Sequence, residues 1–434
     1  MSTSVIVQDS VEQRSRALGS RSVWIATAVA FALRFSWVLF ARSYRFSHPS
    51  HFDFGQEIGA LAYSLATGHG FSSPFLEQSG PSTWVAPIYP FVLALVFKLF
   101  GVYSTASALV MFAVNCACSA LTCWPIWKIA CTVTNRRVAQ ASIWLWAFLP
   151  PFMAWAVFWL WDAAATTLLL TWIVWLTIQL SRAISLRQWL TFGLLWGFAA
   201  LLNPSLLSVL PLTVAYIAWK ARVREEHWLI PAALCCFVAA LTVAPWLIRN
   251  YEAFGQFVFI RGNFWAEMRY GNSPYGDGTW MGFTHPETNP IERRKLIQLG
   301  ELRYFDSKKQ EVLAFIHEYP WYFRELCFRR VLFYWWDFRD ITGSTPEVLQ
   351  TIARRTFSTL ALVGVVFLWI RRREAAALIT SVLVVYPLPY YLTYPYGRYR
   401  HVLEPLLLIC ALYCLAQVRE FQKLFPPNLT DSSG

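Results

Sequence analysis

Four stretches far apart in a chain of 434 residues set ionisable side chains at the ends of apolar runs. The first, HFDFGQEIGALAYSLATGHGF (His51 to Phe71), spaces Asp53 and Glu57 four apart. On a helix that spacing puts both carboxylates on one face and leaves Ile58, Leu61, Ala62 and Leu65 to lie on a membrane. A carboxylate so placed suits proton abstraction from an attacking hydroxyl. The plain alternative is that Asp53 caps the helix, worth about 1 kcal/mol. The second stretch, FWLWDAAATTLLL (Phe158 to Leu170), puts Asp162 at the mouth of an apolar run, where an acid calls for a partner or water. It too could be an N-cap. In the third, Arg249 and Asn250 close an apolar run. In the fourth, TYPYGRYRHVLEP (Thr393 to Pro405), Arg398 and Arg400 flank Tyr399. Guanidinium forks match phosphate oxygens two bonds at a time, so this pair suits a lipid phosphate; topological anchoring is the alternative. Arg34 lies inside the first apolar run and either props Asp53 from the bundle interior or snorkels to the interface. Should a divalent cation take part, Asp53, Glu57 and Asp162 are its candidate ligands.

Only membrane-spanning helices can hold these residues where they stand. The chain is 56% hydrophobic and 14% charged, with a mean hydropathy of +0.40, against roughly 25% charged in soluble proteins. A soluble enzyme is excluded. Aromatics make up 17% of the residues, 23 of them Trp, as suits a protein with many ring-lined interfaces. Apolar runs of spanning character lie at about 22–41, 105–127, 138–158, 163–180, 189–202, 205–219, 228–247, 356–370, 375–393 and 402–418. The architecture expected is an all-α polytopic membrane bundle of about ten transmembrane helices. The net charge of +12 resides in short clusters between these runs, which topology explains without a nucleic-acid partner. Most of the nine cysteines fall inside apolar runs, and no CxxC pair suggests a metal or redox site.

Arg14, Arg16 and Arg21 precede the first run and place the N-terminus in the cytoplasm. The run Pro87 to Phe100 is short and carries two prolines and Lys98. If it stays on the outer face, every short basic loop falls inside and both termini are cytoplasmic. The chain then divides into a cytoplasmic tail, 1–21; an N-terminal catalytic module, 22–247, with outer loop 42–104; an extracytoplasmic segment, 248–355, with juxtamembrane helices; C-terminal spans, 356–418; and a second tail, 419–434. Within 248–355, GNSPYGDG (Gly271 to Gly278) signals turns, Leu296 to His317 is helix-prone, and Trp321 to Phe338 reads as an interfacial helix.

Taken with APIYPFVLALVFKLFG (Ala86 to Gly101), NRRVAQASIWLWAFLPP ending at Pro151, and APWLIRNYEAFGQFVFIRGNF (Ala244 to Phe264), these motifs occur in a telling order. The chain resembles membrane glycosyltransferases of the GT-C fold, specifically bacterial relatives of the dolichyl-phosphate-mannose protein mannosyltransferases and lipid A aminoarabinose transferases. The resemblance implies transfer of a sugar from a polyprenyl-phosphate donor to a glycan, lipid or protein acceptor on the outer face of the plasma membrane. It implies Asp53 as catalytic base, with Asp162 matching an acid of the second outer loop. Two departures stand out: Phe54, not an acid, follows Asp53, and Val85 and Ala86 stand where the aminoarabinose transferases carry Glu-Lys. The competing class, a transporter or lipid-linked sugar flippase, places charge near the midplane and shows internal repeats, which this sequence does not.

Keeping Pro87 to Phe100 outside fixes a test. A reporter active only in the cytoplasm should be silent when fused after Gly101 and active when fused after Asn135. The reverse pattern overturns the assignment.

Overall fold

Proline decides where the apolar runs break, and small residues decide how closely they pack. The computed structural model describes residues 2–45, 54–75, 77–182, 185–337 and 345–424; among these the chain is helical nearly throughout, with one isolated bridge, Ser72 to Pro81. Seven of the described helices are long and apolar enough to cross a membrane: Arg21–Ala41, Thr105–Val133, Ala163–Leu180, Pro204–Val223, Leu229–Phe254, Thr351–Arg371 and Arg373–Leu392. Ile88–Phe100, Leu186–Leu202 and Glu404–Val418 are shorter apolar helices. The chain is an all-α, multi-pass membrane protein.

The run expected to span at 138–158 is not one helix. Arg136–Phe148 stops at Leu149, and Pro150–Phe152 forms a single 3-10 turn before the short helix Ala154–Val157. Prolines lack the N–H that a helix needs and push the preceding residue into extended backbone, as the ψ of 124° at Leu149 records. Such a break leaves carbonyls without partners among apolar side chains.

Arg34 supplies them. Its side chain is fully buried, and its Nε donates to the Ser119 hydroxyl at 2.8 Å. Its terminal nitrogens donate to the carbonyls of Ala30, Trp146, Ala147 and Phe152 at 2.7–3.4 Å. All its donors are thereby used, on oxygens of the helix break, of its own helix and of Ser119. Its burial excludes snorkelling; Asp53, the acid it was expected to prop, lies outside the described residues.

Leu186–Leu202 packs along Leu229–Phe254 through Gly193 and Gly197, one turn apart. A methyl group at Gly193 would come within 2.4 Å of the Cys235 carbonyl oxygen, and one at Gly197 within 2.4 Å of Thr242. Only hydrogen fits between these backbones, the small-residue contact typical of helices in lipid.

Outside the spans, the helix-prone stretch 296–317 is realised as Pro290–Leu299 and Glu301–Glu318, parted at Gly300. The expected interfacial helix is Pro320–Trp336, with Trp321 and Phe328 exposed on it. Its other face is not interfacial. Arg330 is fully buried there and donates to the carbonyls of Gly271, Gly278, Tyr391 and Leu392, binding the helix to the loop that carries Gly271 and Gly278 and to the segment before Arg398.

Replacing Arg34 with Met should orphan several buried carbonyls at about 1–3 kcal/mol each. The thermal unfolding midpoint of the purified protein should fall clearly, with Arg34→Lys recovering only part. An unchanged midpoint in Arg34→Met would mean that the break needs no internal donors.

Candidate active site

The strip Ser82-Thr83-Trp84 is the frame of the site, and it is held from several sides. Buried Glu301, at the start of its helix, accepts hydrogen bonds from the Ser82 hydroxyl at 2.6 Å, the Thr83 hydroxyl at 2.7 Å and the Thr83 amide. Burial lifts its pKa to about 7 against the opposing pull of these donors and of Arg249. Arg249 donates to the Ser82 carbonyl at 2.8 Å, Gly262 N–H to that of Thr83 at 3.2 Å, and Arg261 Nε to that of Trp84 at 3.0 Å. The chain that follows, Trp84 to Ala86, is thereby fixed as one wall of a cavity of about 310 Å³.

That cavity brings together Glu57, Asp162, Arg398 and Tyr399 from three distant segments. Asp162 precedes the helix Ala163–Leu180, but its side chain makes no capping bond to that helix. Its Oδ2 instead accepts from Asn203 Nδ2 and from the Thr166 hydroxyl, both at 3.1 Å. Asn203 also caps the 3-10 helix Pro204–Val209, so the helix break at Pro204 and the orientation of Asp162 share one residue.

Glu57 is buried and lies 3.1 Å from His285 Nε2. Burial raises its pKa, but the bond to and charge of His285 lower it further, and it stays below the ordinary carboxylate value. The helix Glu57–Ala66 begins at Glu57 itself, with Gln56 at the N-cap and left-handed backbone at Gly55 (φ 84°) and Gln56 (φ 51°). The helical face expected to carry both carboxylates thus starts at Glu57, with Gln56 in the capping position. The glycine has a packing reason: a Cβ at Gly55 would fall 2.4 Å from the Leu160 carbonyl oxygen. The chain just after Asp53 is thus pressed against the chain just before Asp162. Asp53 itself lies outside the described residues.

Arg398 spreads over the Trp161 ring at 3.9 Å and over Tyr399 at 4.9 Å, and donates to the Tyr399 hydroxyl at 3.0 Å. Its Nε is buried without a hydrogen-bond partner among the described residues. Aromatic stacking holds the guanidinium flat while leaving donor capacity unused.

The other candidates do not line this cavity. Arg400 is buried against Ser358 at 2.8 Å and Glu404 at 3.3 Å, where it ties two helices together. Arg249 is spent on the carbonyls of Ser82 and Phe71, and Asn250 on those of Val258 and Phe259. Arg34 serves the helix break. Among the described residues no three His, Cys, Asp or Glu side chains gather closely enough to hold a metal ion.

The structure adds residues that sequence reasoning missed. Glu267, in the helix Phe264–Gly271, lines the cavity and accepts from Asn263 at 2.8 Å, Arg261 at 3.4 Å and the Tyr394 hydroxyl at 2.6 Å. His285 completes the Glu57 pair. The signal available was slight: an acid and a histidine amid aromatic and glycine residues, in a segment without recognisable motif.

Residues 84–248 match the family described as dolichyl-phosphate-mannose-protein mannosyltransferase. No curated protein matches the chain in sequence. Among solved structures, the oligosaccharyltransferase of Archaeoglobus fulgidus in its apo form aligns over 94% of this chain and 51% of its own, at 12% identity and a TM-score of 0.56. The oligosaccharyltransferase AglB of the same archaeon, solved with an inhibitory peptide and a dolichol-phosphate, aligns over 96% and 53%, at 11% identity and a TM-score of 0.53. The chain therefore spans about half the length of that enzyme. ArnT from Cupriavidus metallidurans, bound to undecaprenyl phosphate, aligns over 94% and 81% at 14% identity, with a TM-score of 0.42 that is too low to argue from. The resemblance read from the motifs stands: the chain has the fold of the GT-C membrane glycosyltransferases, and its residues 84–248 match the mannosyltransferase family.

Proposed function

We propose that the protein is a membrane glycosyltransferase that moves a sugar from a polyprenyl-phosphate donor to an acceptor on the extracytoplasmic face. The observation that carries this reading is Arg398, held flat on Trp161 with unused donor capacity in a cavity of mixed character. The lining of that cavity mixes the carboxylates of Glu57, Asp162 and Glu267 with the apolar Leu202, Pro204, Pro389 and Val402. A phosphate on an apolar tail satisfies both. The family match over residues 84–248 and a similarly folded enzyme solved with dolichol-phosphate support the same donor class.

In the reaction, an acceptor hydroxyl gives its proton to the Asp53 carboxylate as its lone pair attacks the anomeric carbon. A new carbon–oxygen bond forms while the bond from that carbon to the phosphate oxygen breaks, and the electron pair leaves on the polyprenyl phosphate. That group departs readily, so a cationic donor matters more than a general acid. Arg398 meets the growing charge with its planar fork, and Tyr399 fixes the fork's plane. Asp162, oriented by Asn203, lies at the same cavity and positions the acceptor. Glu57, paired with His285, keeps its charge away from the phosphate.

Turnover of a polyprenyl-phosphate sugar by the purified protein in detergent tests the reading, since a transporter needs a sealed compartment. Asp53→Asn keeps the side-chain volume but cannot take a proton near neutral pH. It should melt like wild type and lose about 100-fold to 10,000-fold in rate, with Asp162→Asn a milder case. Near-normal turnover by Asp53→Asn ends its assignment as the base.

The two neighbouring arginines should separate. Arg398→Lys keeps the charge but not the two-bond geometry and should lose at least about tenfold in kcat. Arg400→Lys should lower the melting temperature while activity per folded molecule stays within about twofold. Equal activity losses in both would return Arg400 to the phosphate site.

A further inference from the structure

A second chamber, of about 150 Å³, opens beside the reaction cavity and shares Glu57, Trp161, Glu267 and Arg398 with it. We propose that this chamber seats the transferred sugar and that it selects a pyranose without an acidic substituent. The proposal rests on the transferase reading and adds to it the place of the sugar and its chemical class.

Three segments supply the aromatic rings of the chamber. Trp155 and Trp159 come from the irregular stretch before Asp162, with ring centroids 6.4 Å apart and planes 31° apart. Tyr396 stands 5.8 Å from Trp155 at 57°, so the three rings form a corner rather than a flat stack. Trp280, from the outer loop, lies 5.9 Å from His285 on another side. Trp159 and Trp280 each retain 36% exposure, so their rings are not used up in packing. The remaining wall is polar: the Glu57–His285 pair at 3.1 Å, and Glu267 with the Tyr394 hydroxyl at 2.6 Å.

Aromatic corners opposed by carboxylates fit one kind of ligand well. A pyranose has C–H faces that lie against rings and a rim of hydroxyls that donate to carboxylate oxygens. Tryptophans of a membrane belt face lipid, and no lipid chain is met by two carboxylates and an imidazole. The volume takes one monosaccharide. Arg398 lines both chambers, so a phosphate held there directs its sugar into the aromatic chamber and leaves its chain to the larger one. With Arg398 taken by the carrier phosphate, and His285 and Arg261 taken by Glu57 and Glu267, a uronate carboxylate would meet no unpaired cation among the described lining residues.

Binding by the purified full-length protein separates this from the parent reading. The probes are undecaprenyl phosphate alone and undecaprenyl-phosphate conjugates of glucose, mannose, galactose and glucuronate, titrated into wild type, Trp159→Ala, Trp280→Ala and Trp159→Phe. Undecaprenyl phosphate should bind all four proteins within about twofold. At least one neutral conjugate should bind wild type more tightly than the bare carrier. That advantage should shrink about tenfold in the alanine variants and persist in Trp159→Phe, while the glucuronate conjugate shows no advantage. If no conjugate exceeds the carrier, or if the alanine variants keep the advantage, the sugar seat is elsewhere and only this proposal falls. A tight glucuronate conjugate overturns the charge selection. Failure of undecaprenyl phosphate to bind wild type overturns the transferase reading, and this one with it.

Discussion

Backbone that leaves a helix near the membrane must find its hydrogen-bond partners inside the protein, because lipid offers none. The active cavity depends on that constraint, since its residues sit where helices stop. Three arginines meet it. Arg34 serves the break at Leu149–Phe152, Arg249 the carbonyls of Phe71 and Ser82, and Arg330 the loop at Gly271–Gly278 together with Tyr391 and Leu392. An arginine suits this task because five N–H groups radiate from one plane, and each buried carbonyl left unmet costs about 1–3 kcal/mol. Asp162 and Arg398 each lie a few residues beyond a break secured in this way.

Electrostatics then divide the charged groups by role. Glu57, Asp162 and Glu267 line one cavity, and three bare carboxylates would expel a phosphate. Each has a partner instead: Glu57 has His285, Glu267 has Arg261 and Tyr394, and Asp162 has the neutral Asn203 and Thr166. Arg398 is the converse case, a cation held by ring faces rather than by an acid. A ring face restrains a guanidinium without using its N–H groups, which leaves the fork for an anion.

How much of this the sequence reveals depends on the range of the interaction. Hydropathy is local, and nearly all the expected spans coincide with helices of the fold; the exception at 138–158 fails at Pro150 and Pro151, a signal that was present in LPP. The start of the helix at Glu57 hinges on left-handed backbone at Gly55, and the reason for that glycine is the Leu160 carbonyl, more than a hundred residues away. Arg34, Arg249, Arg330, Arg398 and Arg400 are alike as letters. What sets Arg398 apart from the structural arginines is that it faces the cavity while the others spend their N–H groups on oxygens of the fold, and those neighbours come from distant segments. Glu267 and His285 escaped for the same reason, since each gains its meaning from a partner across the fold.

The walls of the site differ in how they are tied down, and this bears on what can vary without loss of chemistry. Asp162 and Asn203 stand at the ends of apolar helices, and Arg398 follows the end of another, so their spacing is set by bundle packing such as the Gly193 and Gly197 contact. The wall at Trp84 to Ala86 is set instead by polar bonds from Glu301, Arg249, Gly262 and Arg261 to the strip that leads into it. Apolar packing tolerates change only when volume is kept, whereas a loop held by its ends tolerates insertion between them. Residues 271–288 project from such anchor points, with Arg330 fixing one end of the segment and Arg293 bonding the carbonyls of Pro286 and Glu287 near the other. Trp280 and His285 are therefore carried on a part of the fold that can change its length and side chains while Arg398 and Asp162 keep their places.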